Sequence, residues 1–337
     1  MKSRIMYIDR LKGIGILCVV IGHLIAVFTE EAPLLSTLYS FIYLFHMPLF
    51  SFLSGLTGKC NLKKILLVSL PVYLVVNTLL NLLHSGKGSI IKTVIGPYGL
   101  MWYLFALMLW QLSVPALEWI RKRIGAVSVL TILIALSLAS GYINISGVFV
   151  KTIVFYFYFA LGCFLKEQVS ALTEGIRKKP LYSLIGGGLL AGTLAVMLAM
   201  GTVIQKDIIV QSKSYSAGNY TITDRLFFYG VSLVLCFCVI LAFANLKCRF
   251  LERAGKNSLS VYLLHAFVLF AMTRSGLTDA VGNTHNQWLI VLFALAAAFM
   301  ITLLLSLEPV FRAFNTVCGA LYQLYQKRFG NTNTQKG

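Results

Sequence analysis

Apolar residues run along this chain in long blocks broken by short polar stretches. Ten blocks approach the ~20 residues that a helix needs to cross the hydrocarbon of a bilayer. They lie at about 13–29, 36–58, 62–83, 98–118, 126–143, 148–166, 181–203, 225–246, 257–274 and 286–311. No segment between them is long enough to fold alone, and no linker, low-complexity tract or obvious repeat interrupts them. The pattern predicts an all-α, polytopic integral membrane helix bundle of about ten transmembrane helices. A transmembrane domain over 1–312 is expected, followed by a cytoplasmic tail over 313–337 that ends in the polar GNTNTQKG. Such a polar terminus is expected to be disordered. The longest polar segment, 202–224, reads TVIQKDIIVQSKSYSAGNYTITD. It is expected to form a lid or a strand pair on the outer face.

Composition supports the membrane reading. The chain is 58% hydrophobic and 12% charged, with a mean hydropathy of +0.82. A soluble domain carries about twice that charged fraction. The net charge of +18 would suit a nucleic-acid ligand, but the placement of the charges argues against one. One set of alternate loops holds Lys2, Arg4, Arg10, Lys12, Lys59, Lys63, Lys64, Arg121, Lys122, Arg123, Lys166, Arg177, Lys178, Lys179, Lys247, Arg249, Arg253, Lys256, Arg312, Lys327, Arg328 and Lys336. The other set holds only Lys87, Lys92, Lys151, Lys206, Lys213, Arg225 and Arg274. This alternation is the positive-inside pattern, so both termini are expected in the cytoplasm of a multi-pass plasma-membrane protein. The N-terminus has a basic start and an apolar run but no A-x-A-like cleavage site, so it reads as a retained first helix. None of the seven cysteines falls in a predicted outer loop, so no disulfide framework is implied.

The chemistry is sought among polar groups inside the apolar blocks. Ionisable side chains there are costly and normally face the bundle interior or a wet cavity. His23 follows Lys12 by eleven residues, which is three helical turns plus about 20°, or about 16 Å of rise. The two therefore share a helix face, and Asp9 lies within about 40° of it. With Lys12 at the cytoplasmic boundary, His23 is expected near mid-membrane. Gly15 and Gly22 form a small-residue stripe suited to close helix contact. His46 falls about halfway along the second block, two residues before Pro48, which frees a carbonyl and favours a kink. His265 lies about 12 Å along the ninth block. Three histidines from three helices thus fall at comparable depth.

Each of these has a plainer reading. A lone membrane histidine is often an interhelical hydrogen-bond partner. No H-x-x-x-H or H-x-x-E-H spacing supports a metal site. His84 and His285 sit at predicted outer boundaries, where solvation is expected. Asn77, Asn81 and Gln111 read as helix–helix hydrogen bonds. Trp102 and Tyr103 fit an interfacial aromatic belt. Asp224 and Arg225 are expected to pair. The glycines at 186–188 read as a packing surface, because no strand precedes them and no Lys-Ser/Thr follows.

The residues carry a family resemblance. YIDRLKGIGILCVVIGH resembles the first helix of the membrane acyltransferase 3 family, in which D-x-L-R/K-G leads through an apolar run to a histidine. The basic residue and that histidine, with ten residues between, are here Lys12 and His23. FHMPLFSFLSG resembles the second helix of the family. MWYLFALML, YFYFALGCFLK, NSLSVYLLHAFVL and LEPVF are similar to later family patterns in the same order. Many relatives carry Arg where this chain has Lys12, which keeps the charge and loses the bidentate geometry. The chain looks most like the fucose 4-O-acetylase-like branch, which modifies bacterial surface glycans.

The resemblance implies an O-acetyltransferase that uses acetyl-CoA as a cosubstrate, with no permanently bound cofactor. The acceptor would be a sugar hydroxyl of capsule, exopolysaccharide or a lipid-linked repeat unit. His23 would be the general base, with Lys12, Asp9 and His46 supporting it. Lys59, Lys63, Lys64, Arg121, Lys122 and Arg123 would hold the CoA phosphates. Ser54, Trp102, His265 and Glu308 are further polar candidates for substrate or structure. Two alternatives stand beside this: a transporter or flippase of lipid-linked glycans, and an O-acyltransferase with another donor such as succinyl-CoA. Against a carrier, no pair of Gly/Pro-broken helices occupies matching positions in two halves.

Overall fold

The computed structural model describes residues 6–29, 33–85 and 96–329. Lys2, Arg4, Lys87, Lys92, Lys336 and the terminal GNTNTQKG lie outside the described residues. Every regular element among the described residues is helical. We number them α1 (Met6–Ile25), α2 (Pro33–Leu56), α3 (Leu62–Lys64, a π-helical turn Ile65–Ser69, then Leu70–Ser85), α4 (Trp102–Ile124), α5 (Ala126–Ser140), α6 (Gly147–Phe164), α7 (Lys166–Lys178) and α8 (Leu181–Ala199). The series continues with α9 (Lys206–Val210), α10 (Tyr215–Gly218), α11 (Ile222–Phe243), α12 (Arg249–Lys256), α13 (Ser258–Arg274), α14 (Leu277–Gly282), α15 (Gln287–Leu305) and α16 (Glu308–Phe329).

Seven of the segments are long and apolar enough to cross a membrane. They begin at Leu34, Leu62, Gly99, Gly147, Leu181, Ile222 and Gln287. The other three predicted spans are also helical. α1 carries Asp9, Arg10 and Lys12, while α5 and α13 are shorter apolar helices of 15 and 17 residues. The protein is therefore a polytopic helical membrane protein. Helix ends follow local chemistry. Gly125, at φ 84°, ends α4 and admits α5 at once, because glycine tolerates that left-handed conformation without a Cβ penalty. Thr221 and Asp224 form a reciprocal capping box at the start of α11. Asn286 caps α15 by accepting from the backbone of Trp288 and Leu289.

The chain forms two compact units. The larger comprises 1–57 and 126–307, and the smaller comprises 58–125 and 308–337. In the larger unit α1 packs on α2, α12, α13 and α15, and α2 also packs on α6 and α11. These contacts are close because glycine faces backbone. A Cβ at Gly13 would strike the Leu251 carbonyl of α12, and one at Gly255 would strike the Asp9 carbonyl of α1. Gly55 and Gly162 make the same reciprocal fit between α2 and α6. Gly15 and Gly22 receive the rings of Phe50 and Tyr43 from α2. Close approach at small residues is the normal route to helix association where burial from lipid gives little driving force. Of the glycines at 186–188, Gly186 packs against α11 and the other two meet nothing within 4 Å.

In the smaller unit α3 and α4 form a hairpin joined through residues 86–98, and α16 packs on the π-helical turn of α3. Asn77 is buried on α3. It holds the backbone before α4, donating to the Gly96 carbonyl and accepting from Tyr98 N–H at 2.8 Å. The last predicted span, 286–311, divides in the structure: α15 stops at Leu305 and α16 begins at Glu308. The expected boundary at 312 falls within α16.

The segment 202–224 forms no strand pair. It contains the short helices α9 and α10 and is tied down at several points. Ile204 N–H donates to Ser40 Oγ on α2, and Tyr215 N–H donates to the Gly141 carbonyl. Asp224 and Arg225 do not pair, because Asp224 is committed to the cap of α11 while Arg225 turns into the core.

Candidate active site

The site is assembled from α1, α2, α6 and α13, all within the larger unit. His46 projects from α2 and is buried. Its Nδ1–H donates to the Ile42 carbonyl one turn back at 2.9 Å. His265 on α13 repeats the arrangement, with Nδ1–H donating to the Val261 carbonyl at 3.0 Å. A carbonyl can only accept, so in each neutral ring Nε2 carries the lone pair.

His23 stands in the last turn of α1 rather than midway along a span, because α1 ends at Ile25 and not near residue 29. Its ring centroid is 5.3 Å from that of His265, with the planes inclined at 43°. On its other side the Tyr43 ring stands edge-on at 6.5 Å. Tyr43 meets His46 at 4.5 Å and stacks on Tyr39 at 3.8 Å. His23 is partly accessible, whereas His46 and His265 are 2% and 0% exposed. The structure therefore brings all three histidines into one cluster, in which His23 is the least enclosed residue.

Lys151 completes the cluster. It lies in the second turn of α6 and acts electrostatically on both His23 and His46. The charge alternation assigns Lys151 to an outer loop. Its position inside the apolar block 148–166 was the available sign that it belongs with the intramembrane ionisable groups.

At the other end of α1, Lys12 and Asp9 are partly accessible. The helix is unbroken from Met6 to Ile25, so Lys12 and His23 keep their common face about 16 Å apart. Arg10, between them in the motif, points elsewhere. Its Nε–H donates to Glu252 of α12 at 2.8 Å and its Nη1 to the Ala244 carbonyl at 3.2 Å. Arg10 thus fastens α1 to its neighbours. Ser54 is buried on α2, two turns beyond His46.

The remaining sequence-derived candidates belong to the smaller unit. Lys59, Lys63 and Lys64 are exposed at the start of α3, where Asn61 caps the helix. Lys122 and Arg123 are exposed at the end of α4, and Arg121 pairs with Glu118 at 2.8 Å. The α3–α4 hairpin places both basic groups at one end. Trp102 and Tyr103 are buried against each other at 5.8 Å and do not form an exposed belt. Glu308 is partly accessible and pairs with Arg312 at 3.7 Å. His84 and His285 are exposed.

A second polar cluster, absent from the sequence reading, lies between α5, α6 and α11. Arg225 is fully buried at the start of α11. Its Nη1 donates to the Ser137 carbonyl at 2.5 Å and to Ser140 Oγ at 3.1 Å, and its Nη2 donates to the Tyr220 hydroxyl at 2.6 Å. Its guanidinium stacks over the Tyr215 ring at 4.7 Å. Burial raises the Tyr220 phenol above its ordinary value, and the Arg225 charge beside it opposes that rise. Tyr229 donates to Ser137 Oγ, and the Tyr158 and Ser232 hydroxyls are bonded to each other. Through Tyr215 and Tyr220 this cluster acts as a fastener for the segment 202–221.

Among the described residues no three His, Cys, Asp or Glu side chains are grouped to hold a metal ion. Apolar helices that enclose an imidazole cluster mark a polytopic membrane protein with ionisable groups inside its bundle, where such groups are costly. The model of the acyltransferase 3 family, an acyltransferase domain, matches residues 5–307. The chain belongs to that family and is a membrane acyltransferase. The match includes Lys12, His23, His46, Lys151 and His265, and stops one residue short of Glu308. No curated protein and no solved structure matches the chain. Family membership decides for an enzyme over a carrier.

Proposed function

We propose that the protein is an O-acetyltransferase of the fucose 4-O-acetylase-like branch. It moves an acetyl group from cytosolic acetyl-CoA to a sugar hydroxyl of a cell-surface or lipid-linked bacterial polysaccharide at the plasma membrane. The carrying observation is the contrast within the histidine cluster. His46 and His265 are buried with Nδ1 tied to backbone, and His23 alone of the three is partly accessible.

On this reading a nitrogen of neutral His23 takes the hydroxyl proton as the sugar oxygen bonds to the thioester carbonyl carbon. The tetrahedral centre then collapses, the C–S bond breaks, and the imidazolium returns the proton to the leaving thiolate. The products are the acetyl ester and free CoA thiol, with His23 neutral again. A positioned base contributes about 10²–10⁴-fold. Lys12, about 16 Å away on the same face, lies where the donor's thioester arm would begin its path to His23. Lys151 supplies positive charge beside the developing oxyanion, a form of stabilisation often worth more than the base itself. The basic end of the α3–α4 hairpin would hold the nucleotide phosphates as charge-assisted pairs.

The test is acetyl transfer by purified full-length protein, read as CoA thiol release and as acetyl gain on a glycan acceptor. His23→Ala should abolish both while leaving acetyl-CoA binding in place. Wild-type transfer by His23→Ala would remove the base assignment. Binding of succinyl-CoA in preference to acetyl-CoA would replace the donor. Loss of acetyl from the surface polysaccharide of a deletion strain would identify the acceptor.

A further inference from the structure

His265 is the most enclosed of the three imidazoles. With Nδ1–H on the Val261 carbonyl, its neutral ring has a bare acceptor at Nε2. That atom is buried and has no hydrogen-bond partner among the described residues. Leaving a buried acceptor unbonded costs about 1–3 kcal/mol, which favours a side-chain arrangement that brings a donor to it. His23 is the closer of the two rings beside it, at 5.3 Å against 6.2 Å for Tyr262. At that centroid distance, turning the His23 side chain brings a ring nitrogen within hydrogen-bonding range of Nε2. His46 is not placed for this role, because the ring it meets is Tyr43.

We propose that His265 is a positioning residue whose Nε2 accepts the N–H of His23 and so fixes which His23 nitrogen is bare. The other nitrogen is then bare and able to take the proton of an acceptor hydroxyl. When His23 takes that proton, its other N–H stays on His265, which neither gains nor loses a proton through the cycle. The arrangement follows the logic of a base held in one tautomer by a third group, with a neutral imidazole in the place of a carboxylate. Tyr43 and His46 of α2, Tyr262 of α13 and Lys151 of α6 are the other ionisable groups around the pair. The Arg10–Glu252 pair and the remaining charges of α12 lie toward the Asp9 end of α1. The proposal rests on His23 being the general base.

Two variants of the full-length protein test it, beside His23→Ala. His265→Phe keeps the ring volume and removes the acceptor. Its kcat should fall on the order of 100-fold, inside the 10²–10⁴ that a positioned base contributes, with donor KM held within about threefold. His265→Gln returns an acceptor oxygen near the Nε2 position and should recover about tenfold of that loss. ¹⁵N spectra of histidine-labelled protein should show a single His23 tautomer in the wild type and a mixture in His265→Phe. Wild-type kcat in His265→Phe, or a mixed His23 tautomer in the wild type, overturns the proposal. If His265→Phe fails to fold, the wild-type spectrum and the Gln variant still decide. If His23→Ala transfers acetyl normally, the general-base reading falls by itself, and the spectra separately report whether the two rings are paired.

Discussion

Gly255→Ala puts one methyl group at the crossing of α12 and α1. The added carbon would lie 2.6 Å from the Asp9 carbonyl carbon and 2.8 Å from Gly13 N, and closer still to the carbonyl oxygen. Carbon contacts rest at about 3.5–4.0 Å, so the two helices have to part by about 1 Å. Both obstructing groups are backbone, and no side-chain rotation relieves them. Overpacking of this kind costs about 1–3 kcal/mol. The functional effect should be larger, because α1 carries His23 at its far end and its position is fixed by this crossing and by Arg10. A displacement of about 1 Å at a reacting group costs on the order of 10²-fold in rate. The measurements are acyl transfer and melting temperature of the purified variant in detergent. Gly187→Ala is the control. Nothing lies within 4 Å of its added methyl, and replacing a mid-helix glycine contributes about 0.5–1 kcal/mol of helix stability. Gly187→Ala should match or exceed the wild type in both measurements. Wild-type turnover in Gly255→Ala would refute the claim that this crossing positions α1. A lowered melting temperature with unchanged turnover would refute the link from crossing to site.

Arg225→Ala should lower the melting temperature and speed hydrogen exchange over 204–220, because it removes the bond to Tyr220 and the stack on Tyr215 that hold that segment, along with two bonds to Ser137 and Ser140 of α5. Tyr220→Phe, which removes its bonds to Arg225 and to the Lys213 carbonyl, should give a smaller shift of about 1–3 kcal/mol. Glu252→Gln should lower both stability and turnover, since it leaves the largely buried Arg10 charge without its carboxylate. Neutralising Lys59, Lys63 and Lys64 together should raise the donor KM with kcat nearly unchanged and flatten the salt dependence of donor binding, as expected for exposed phosphate contacts. A fall in kcat alone would place those lysines outside the donor site.

Much of the fold was legible because spanning helices announce themselves as uninterrupted apolar runs. All ten blocks are helical in the structure. Their ends were less legible, because caps and breaks depend on single residues such as Gly125 and Asn286. The level of the three histidines could be compared from helix rise alone, since a 1.5 Å step per residue fixes depth once a boundary is chosen. Azimuth could not be read the same way. Which face of α2 meets α1 depends on Gly22 receiving the Tyr43 ring, a packing contact between a glycine and an aromatic ring that the spacing of charged residues does not reveal. Arg10 and Lys12 look equivalent as cationic neighbours in a motif, and only the fold separates the fastener from the residue on the His23 face. Arg225 was assigned to Asp224 on adjacency. Its true partners, Ser137 and Ser140, lie more than eighty residues earlier and bond partly through backbone, which composition does not reveal.

The smaller unit is discontinuous in sequence, and this orders events during synthesis. The α3–α4 hairpin leaves the ribosome early, whereas α16, which packs on the π-helical turn of α3, is made last. Roughly 180 residues of the larger unit are translated in between, which at about 5–20 residues per second is a delay of roughly 10–35 s. Throughout that interval the surface of α3 that will receive α16 is not covered by it. A truncation that removes α16 should therefore leave the larger unit foldable while turning the hairpin into a target for membrane quality-control proteases.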